Sequence, residues 1–453
     1  MAADKRHFAF WFFVTLANAL VFTGCAPQLA NNYRRLRPHL AAHHDKQALS
    51  YLDSVKDTVY GANNELLYYM DRAMVQFNGQ DHLGCVASLE RAKVVAARLW
   101  SQSLGQETLA WLSNDNALPY QGEDFEKVFL HLLEALSYAR VGNLSDARVE
   151  ARQVSVRLKA LNEKLTGKNI TYQDDAFAHY LAGLLYEADG ADLSHLSDAR
   201  IEYERAVHLY ETVDGPAYHV AVPPNLVRAL GRVLDQLGAD GADDLAALTA
   251  RYGALLKPSK TAKHQYRQKP QARLTIVALV GEAPHKVEEW WALLLGPNLY
   301  KVAYPRFLPH NKQPPPRVSI DQGTVFLKPE LVMDVQNIAI RNLADHMERI
   351  KNRVLAREVA KYTAGTVAQS VGLHQEGLVG LGTFLAGLAL NTATAATARA
   401  DTRSWATLPE AVYIYTCDVA AGPLTLQVGH SAPQTLDLAS GESRFIALRT
   451  LGE

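Results

Sequence analysis

The strongest constraint on the fold is a change of hydrophobic pattern near the middle of the chain. Residues 26–255 are rich in alanine and leucine at helical spacing and contain few strand patterns. Residues 256–272 are polar and basic and include two prolines, a composition typical of a linker. The sequence therefore predicts an all-α domain over residues 25–255, separated by a basic linker from the rest of the chain.

After the linker the pattern changes to β-branched and leucine-rich runs, the first of them at Arg273–Val280. Further strand-like runs lie near 301–308, 316–328 and 411–449, and a long helical pattern lies between about 331 and 398. We therefore expect residues 273–453 to form an α+β domain with a mainly antiparallel sheet, so that the fold class of the whole chain is α+β.

The helical half carries a degenerate repeat. A tetratricopeptide hairpin needs small residues where its two helices cross closely and a large residue one turn further on. Small residues, accompanied by leucine at some positions, recur at such spacings in five successive stretches. These are Leu36 with Ala48 and Leu52, Ala73 with Cys85, Leu89 and Ala92, Ala135 with Ala147, Gly183 with Ala199 and Ala206, and Gly231 with Ala246 and Ala250. A generic helical bundle with the same Ala–Leu pattern is the alternative. Stacked hairpins would form a groove for a peptide or protein partner.

The N-terminus has the composition of an export signal. A short basic start at Lys5–His7 precedes the apolar run Phe8–Phe22, and small residues follow it. The sequence Phe22-Thr23-Gly24-Cys25 resembles the lipobox of bacterial lipoproteins, in which the cysteine receives the lipid. We predict a signal peptide at 1–24 and lipidation at Cys25, and Ala26 after the cysteine suggests the outer membrane, facing the periplasm. An uncleaved N-terminal anchor helix is the alternative.

Charge and motifs exclude several classes of function. Lys and Arg number 46 against 47 Asp and Glu, so no global field attracts nucleic acid. Three cysteines cannot build a disulfide scaffold or a four-cysteine zinc module. The sequence contains no phosphate loop, HExxH or CxxC, and Gly429-His430-Ser431-Ala432 lacks the last glycine of a nucleophile elbow. We therefore expect no enzyme activity, no cofactor, no metal and no nucleic-acid partner.

Several short motifs together resemble an uncharacterised family of bacterial tetratricopeptide-containing outer-membrane lipoproteins. They are Tyr120–Glu126, Ala135 with Tyr138, Ala147–Arg152, Gly281-x-Ala283-Pro284-x-Lys286 and Asp401–Pro409. The family has no assigned activity. Its members are often encoded near lipoproteins similar to the activator of penicillin-binding proteins, which implies cell-wall or outer-membrane assembly as a setting.

Two segments of the second half have open interpretations. Gly377–Ala398 has no charge, and it can be a buried helix, a partner contact or a membrane contact. Within Asp401–Pro409, Arg403 and Trp405 have the chemistry of partner-binding residues, although a packed corner between helix and sheet is the preferred interpretation and catalysis the remaining one.

These features together predict a lipid-anchored envelope protein that works as an adaptor or scaffold. Its partners would be envelope proteins held in the helical-repeat groove, and its lipid would bind the membrane. A component of an envelope-remodelling or export enzyme system, with a site in the C-terminal domain around Asp401–Trp405, is the alternative.

Overall fold

The computed structural model describes residues 25–103, 116, 118–163, 171–189, 192–256, 271–295, 298–320, 325–374, 383, 385, 398–429 and 431–451. Its N-terminal half is helical, and the predicted α+β fold is confirmed. The helices of this half are α1 (Cys25–Ala41), α2 (Asp45–Ser54), α3 (Glu65–Asn78), α4 (His82–Ser103), α5 (Asp124–Arg140), α6 (Leu144–Glu163), α7 (Ala176–Ala188), α8 (Leu193–Leu209), α9 (Gly215–Tyr218), α10 (Pro224–Gln236) and α11 (Ala242–Leu256).

The helices pack as sequential hairpins, α1 with α2, α3 with α4, α5 with α6, α7 with α8 and α10 with α11. Local signals set their ends. Glu123 and Glu126 form a capping box at the start of α5, and Asp175 accepts a hydrogen bond from the Ala178 N–H at the start of α7. Gly142 takes the left-handed conformation, φ 81°, in the turn between α5 and α6.

The small residues of the repeat lie mostly where paired helices cross. Ala135, Ala147 and Ala199 are fully buried. A Cβ atom added to Gly183 on α7 would lie 2.4 Å from ring atoms of Tyr203 on α8, so the two helices approach as closely as the repeat requires.

The assignment in the last hairpin was wrong. Ala246 and Ala250 are exposed, and Leu248 between them is the buried residue of α11. No further hairpin follows among the described residues to cover this helix, so its exposed faces carry alanine without a packing constraint.

The second half contains ten strands and one long helix in the part of the chain that the structure describes. The strands are β1 (Gln271–Val280), β2 (His285–Leu295), β3 (Asn298–Leu308), β4 (Val318–Ile320), β5 (Val325–Leu327), β6 (Glu330–Met333), β7 (Ala411–Ala420), β8 (Gly422–Val428), β9 (Gln434–Leu438) and β10 (Ser443–Thr450), and the helix is α12 (Val335–His374).

Three sheets form from these strands, in the orders β10-β1-β7-β6, β5-β4-β8-β9 and the hairpin β2-β3. All strand pairs are antiparallel except β1 with β10. A small apolar core lies between the first two sheets, and Ile276, Tyr415 and Leu426 are among its residues. The strand β2 was not predicted, and α12 begins after β6 rather than at residue 331.

The two halves share one continuous apolar core. Residues of the sheet such as Val277, Val412 and Ala447 cluster with Leu67, Phe129 and Leu184 of the helices. The first helix of each hairpin provides this contact: Tyr33 of α1 bonds the Ser404 carbonyl, Asp71 of α3 bonds Thr407, and α7 packs on β6. The face of the stack that the first helices line is therefore covered by the chain's own C-terminal half.

Two predicted segments lie outside the described residues, the signal peptide at 1–24 and the linker residues 257–270. Most of Gly377–Ala398 lies outside them too, and Ala398 at its end is buried. Within the described ranges, no helix combines the length and the apolar character needed to cross a membrane.

Candidate functional site

One concave feature is an open groove beside α6 and α8, with a volume of about 1070 Å³. Its walls come from α6, the segment Thr171–Asp174, the end of α8 with the turn that follows it, and one residue of α12, Arg341. Apolar groups of the lining are Leu209, Val213, Pro216 and Ala217, and the polar groups include Ser155, Lys159, Arg205, His208 and Thr212. A lining of both apolar and polar groups suits a peptide or another protein segment.

A network of charged side chains borders one end of the groove. Asp174 accepts two hydrogen bonds from Arg205, at 2.9 and 3.1 Å. The same carboxylate accepts from Ser155 Oγ at 3.1 Å and lies 3.1 Å from His179 Nε2. The other ring nitrogen of His179 lies 2.5 Å from Glu202. These bonds tie α6, α7 and α8 together beside the groove.

Ser155, His179 and Glu202 have the connectivity of a serine hydrolase triad, because Ser155 Oγ lies 3.2 Å from His179 Nε2 and Glu202 binds Nδ1. Their protonation does not suit that chemistry. Burial opposes charge on His179, but the hydrogen bonds and negative charges of Asp174 and Glu202 outweigh it and raise the pKa of His179 to about 9. An imidazole that is protonated at neutral pH cannot accept the serine proton. The network is therefore an ion-pair brace.

The groove wall at Thr171 is bonded to the C-terminal half. Arg341 on α12 donates to Thr171 Oγ1 at 3.0 Å and pairs with Asp345 at 3.1 Å. The backbone N–H of Thr171 donates to the Asp345 carboxylate at 2.8 Å. The groove thus has walls from both halves of the chain, held by direct bonds.

Arg403 and Trp405 lie inside the protein. The Arg403 guanidinium makes two hydrogen bonds to Asp401, at 2.7 and 2.8 Å, and donates to Asn64 and to the Leu118 carbonyl. Trp405 is 1% exposed. Neither side chain is presented to a partner or to a substrate in this arrangement, which is that of a packed segment between helices and sheet.

Trp405 is fixed by α5. Its backbone N–H donates to the Glu126 carboxylate at 2.6 Å, and its ring meets Phe129 edge-on at 6.1 Å. Cys25, the predicted lipidation residue, is the first residue of α1.

A second cluster was missed by the sequence reasoning. His131, Glu134 and Glu150 bring one nitrogen and two carboxylate oxygens within 4.8 Å of one another, deep between α5 and α6. The only sequence signal is the spacing His-x-x-Glu on α5, which places both side chains on one helix face. Glu150 comes from the next helix, so its approach could not be read from a local pattern.

Comparisons with known proteins add little. No protein-family model matches the chain, and no curated protein matches it. Among solved structures, the crystal structure of Bacillus thuringiensis PlcR in complex with the peptide PapR7 and DNA is 13% identical, with a TM-score of 0.28, over 51% of this chain and 74% of that one. A likeness this weak supports no conclusion about the site.

Proposed function

We propose that the chain is a lipid-anchored envelope protein that acts as an adaptor, holding a segment of a partner protein in the groove beside α6 and α8. The observation that carries the proposal is the groove itself, an open concavity with a volume of about 1070 Å³ whose walls are held together by ion pairs and hydrogen bonds. The face that the first helices line is occupied by residues of the same chain, so we place the partner in the groove instead.

The chemistry of the groove favours a peptide segment with both apolar and polar side chains. Leu209, Val213 and Pro216 offer apolar contact, whereas Lys159 and His208 add basic groups to the rim. The bonds of Arg205 and Arg341 hold the walls in place before a ligand arrives, which lowers the entropic cost of binding.

The lipid anchor is supported by the sequence at Phe22–Cys25. Helix α1 begins at Cys25, and Leu29, only four residues later, is buried with 4% exposure. At about 1.5 Å of rise per helical residue, a lipid on Cys25 would hold the folded body within roughly 6 Å of the membrane surface. The proposed setting, cell-wall or outer-membrane assembly, comes from the family resemblance alone.

Site-specific photo-crosslinking in the intact envelope tests the groove. A photoreactive residue at Thr212, inside the groove, should capture a defined envelope protein, and the same residue at Val94, 63% exposed on α4, should not. Ala217→Trp places a bulky side chain in the groove and should strongly reduce the Thr212 crosslink, with Val94→Trp as the matched control. Equal capture at both positions, or a crosslink that Ala217→Trp leaves undiminished, would refute the proposed site.

A further inference from the structure

The cluster of His131, Glu134 and Glu150 has the composition of a metal site. His131 and Glu134 stand one turn apart on α5, and Glu150 reaches them from α6. The three side chains are at most 12% exposed, and His131 Nδ1 lies 2.7 Å from a Glu150 oxygen. One imidazole nitrogen and two carboxylates, all on rigid helices, form a donor set that zinc accepts.

Glu134 gives a second and independent indication of a bound cation. Its side chain is 0% exposed. One of its oxygens, Oε1, is buried with no hydrogen-bond partner among the described residues. A buried carboxylate oxygen without a partner is costly, and a metal ion is a partner that would remove this cost.

Lys93 on α4 lies against the same carboxylates. Its ammonium is 2.8 Å from Glu134, 3.2 Å from Glu150 and 2.9 Å from Glu90. One ammonium therefore faces three carboxylates, so a single positive charge is shared among three negative ones. Glu90 is half exposed, so Lys93 can swing outward on its flexible stem and keep this pairing.

We propose that this cluster binds one divalent transition-metal ion of the Zn²⁺ type, with His131, Glu134 and Glu150 as ligands, and that the Lys93 ammonium occupies the place of the ion when no metal is bound. Ligand atoms of a tetrahedral zinc ion lie about 3.4 Å apart, since each bond is about 2.1 Å long. Donor atoms within 4.8 Å of one another reach that spacing through small side-chain rotations. A cavity of about 20 Å³ that Lys93 and His131 help to line has room for one water molecule beside the cluster.

The test is isothermal titration calorimetry of the whole chain, purified in detergent and stripped of metal with EDTA, with ZnCl₂ as the titrant. We expect one Zn²⁺ per chain, and MgCl₂ should give no heat because Mg²⁺ prefers oxygen ligands. Glu134→Gln, which keeps the shape of the side chain, should weaken zinc binding roughly 10- to 100-fold. Circular dichroism of each variant verifies that it is folded.

Lys93→Met separates a metal site from a purely structural ion-pair network. Removing the competing ammonium should tighten zinc binding by roughly tenfold or more, whereas a structural lysine would give a destabilised protein without zinc affinity. The double variant His39→Ala and His43→Ala removes two histidines one turn apart on and beside α1, and should bind zinc as the wild type does. Absence of zinc binding in both the wild type and Lys93→Met would overturn the proposal, as would zinc binding that survives Glu134→Gln and is lost in the His39 and His43 double variant.

Discussion

Replacing Trp405 by alanine should destabilise the whole protein, although Trp405 lies in a segment without regular secondary structure. The side chain is 1% exposed, and its ring meets Phe129 on α5 edge-on at 6.1 Å. A buried aromatic side chain removes about 150–250 Å² from water, which at about 25 cal/mol per Å² is worth about 4–6 kcal/mol. Measured losses for such truncations are about 3–5 kcal/mol, so we expect about 4 kcal/mol for Trp405→Ala.

The conservative change to phenylalanine should cost much less. The indole Nε1 of Trp405 is buried with no hydrogen-bond partner among the described residues, so Trp405→Phe removes an unsatisfied donor along with part of the ring. Because such a donor costs about 1–3 kcal/mol, its removal offsets most of the lost contact area. We expect a net loss of about 1 kcal/mol or less for this variant.

The assay is urea denaturation of the whole chain, monitored by circular dichroism, with Trp290→Ala as the matched control. Trp290 on β2 is 60% exposed, so its truncation should change the free energy of unfolding by no more than about 0.5 kcal/mol. Equal midpoints for Trp405→Ala and Trp290→Ala would refute the burial argument. A Trp405→Ala protein that is stable but loses an envelope partner would support the partner-binding interpretation of this residue instead.

Three further predictions follow from the sequence and the buried contacts. Cys25→Ser should leave an unprocessed precursor that incorporates no radiolabelled palmitate, since lipidation needs the thiol; normal maturation of this variant would exclude the lipoprotein assignment. Ala147→Leu and Ala199→Leu should each cost about 1–3 kcal/mol in urea denaturation, because both residues are fully buried, whereas Ala246→Leu at an exposed position should be neutral, and equal effects of all three would contradict the repeat register. Burial outweighs the hydrogen bonds from Thr407 and two tyrosines and raises the pKa of Asp71 to about 6, so the folded state holds a proton that the unfolded state releases near pH 4. The stability from this proton is complete below about pH 4 and is lost as the pH rises through 6. Asp71→Asn should therefore lose less stability than the wild type between about pH 4.5 and 7.5. Parallel profiles of unfolding free energy against pH for the two proteins would argue against a raised pKa of Asp71.

The repeat was predictable because its determinants are local. Ala135 and Ala147 are close in sequence, and the close crossing of two neighbouring helices requires small residues at such positions. The strand β2 was missed because Trp290–Leu295 is an unbroken apolar run, without the alternation that indicates a half-exposed strand. It lies in a two-stranded sheet, with several of its apolar side chains exposed.

The location of the Asp401–Pro409 segment could not be derived from its residues. The sequence favours a packed corner, and Trp405 is buried as such a corner requires, but the sequence does not indicate the surface against which the segment packs. Thr407 bonds Asp71, which is 336 residues away, and Trp405 bonds Glu126, which is 279 residues away. Such pairings are set by the approach of the two halves, and no local spacing encodes them.

The covered face of the helical stack is completed only when the C-terminal half of the chain has been synthesised. Synthesis proceeds from the N-terminus at about 5–20 residues per second, so roughly 15 to 75 s pass between the synthesis of helices α3 and α5 and that of the strand β10. During this interval apolar side chains such as Leu67 and Phe129 lack their neighbours from the C-terminal half, because Trp405, Val412 and Ala447 have yet to be made. A face that is buried in the finished protein is therefore exposed and prone to aggregation during synthesis, and a chaperone that shields it until the last strands are made would raise the yield of folded protein.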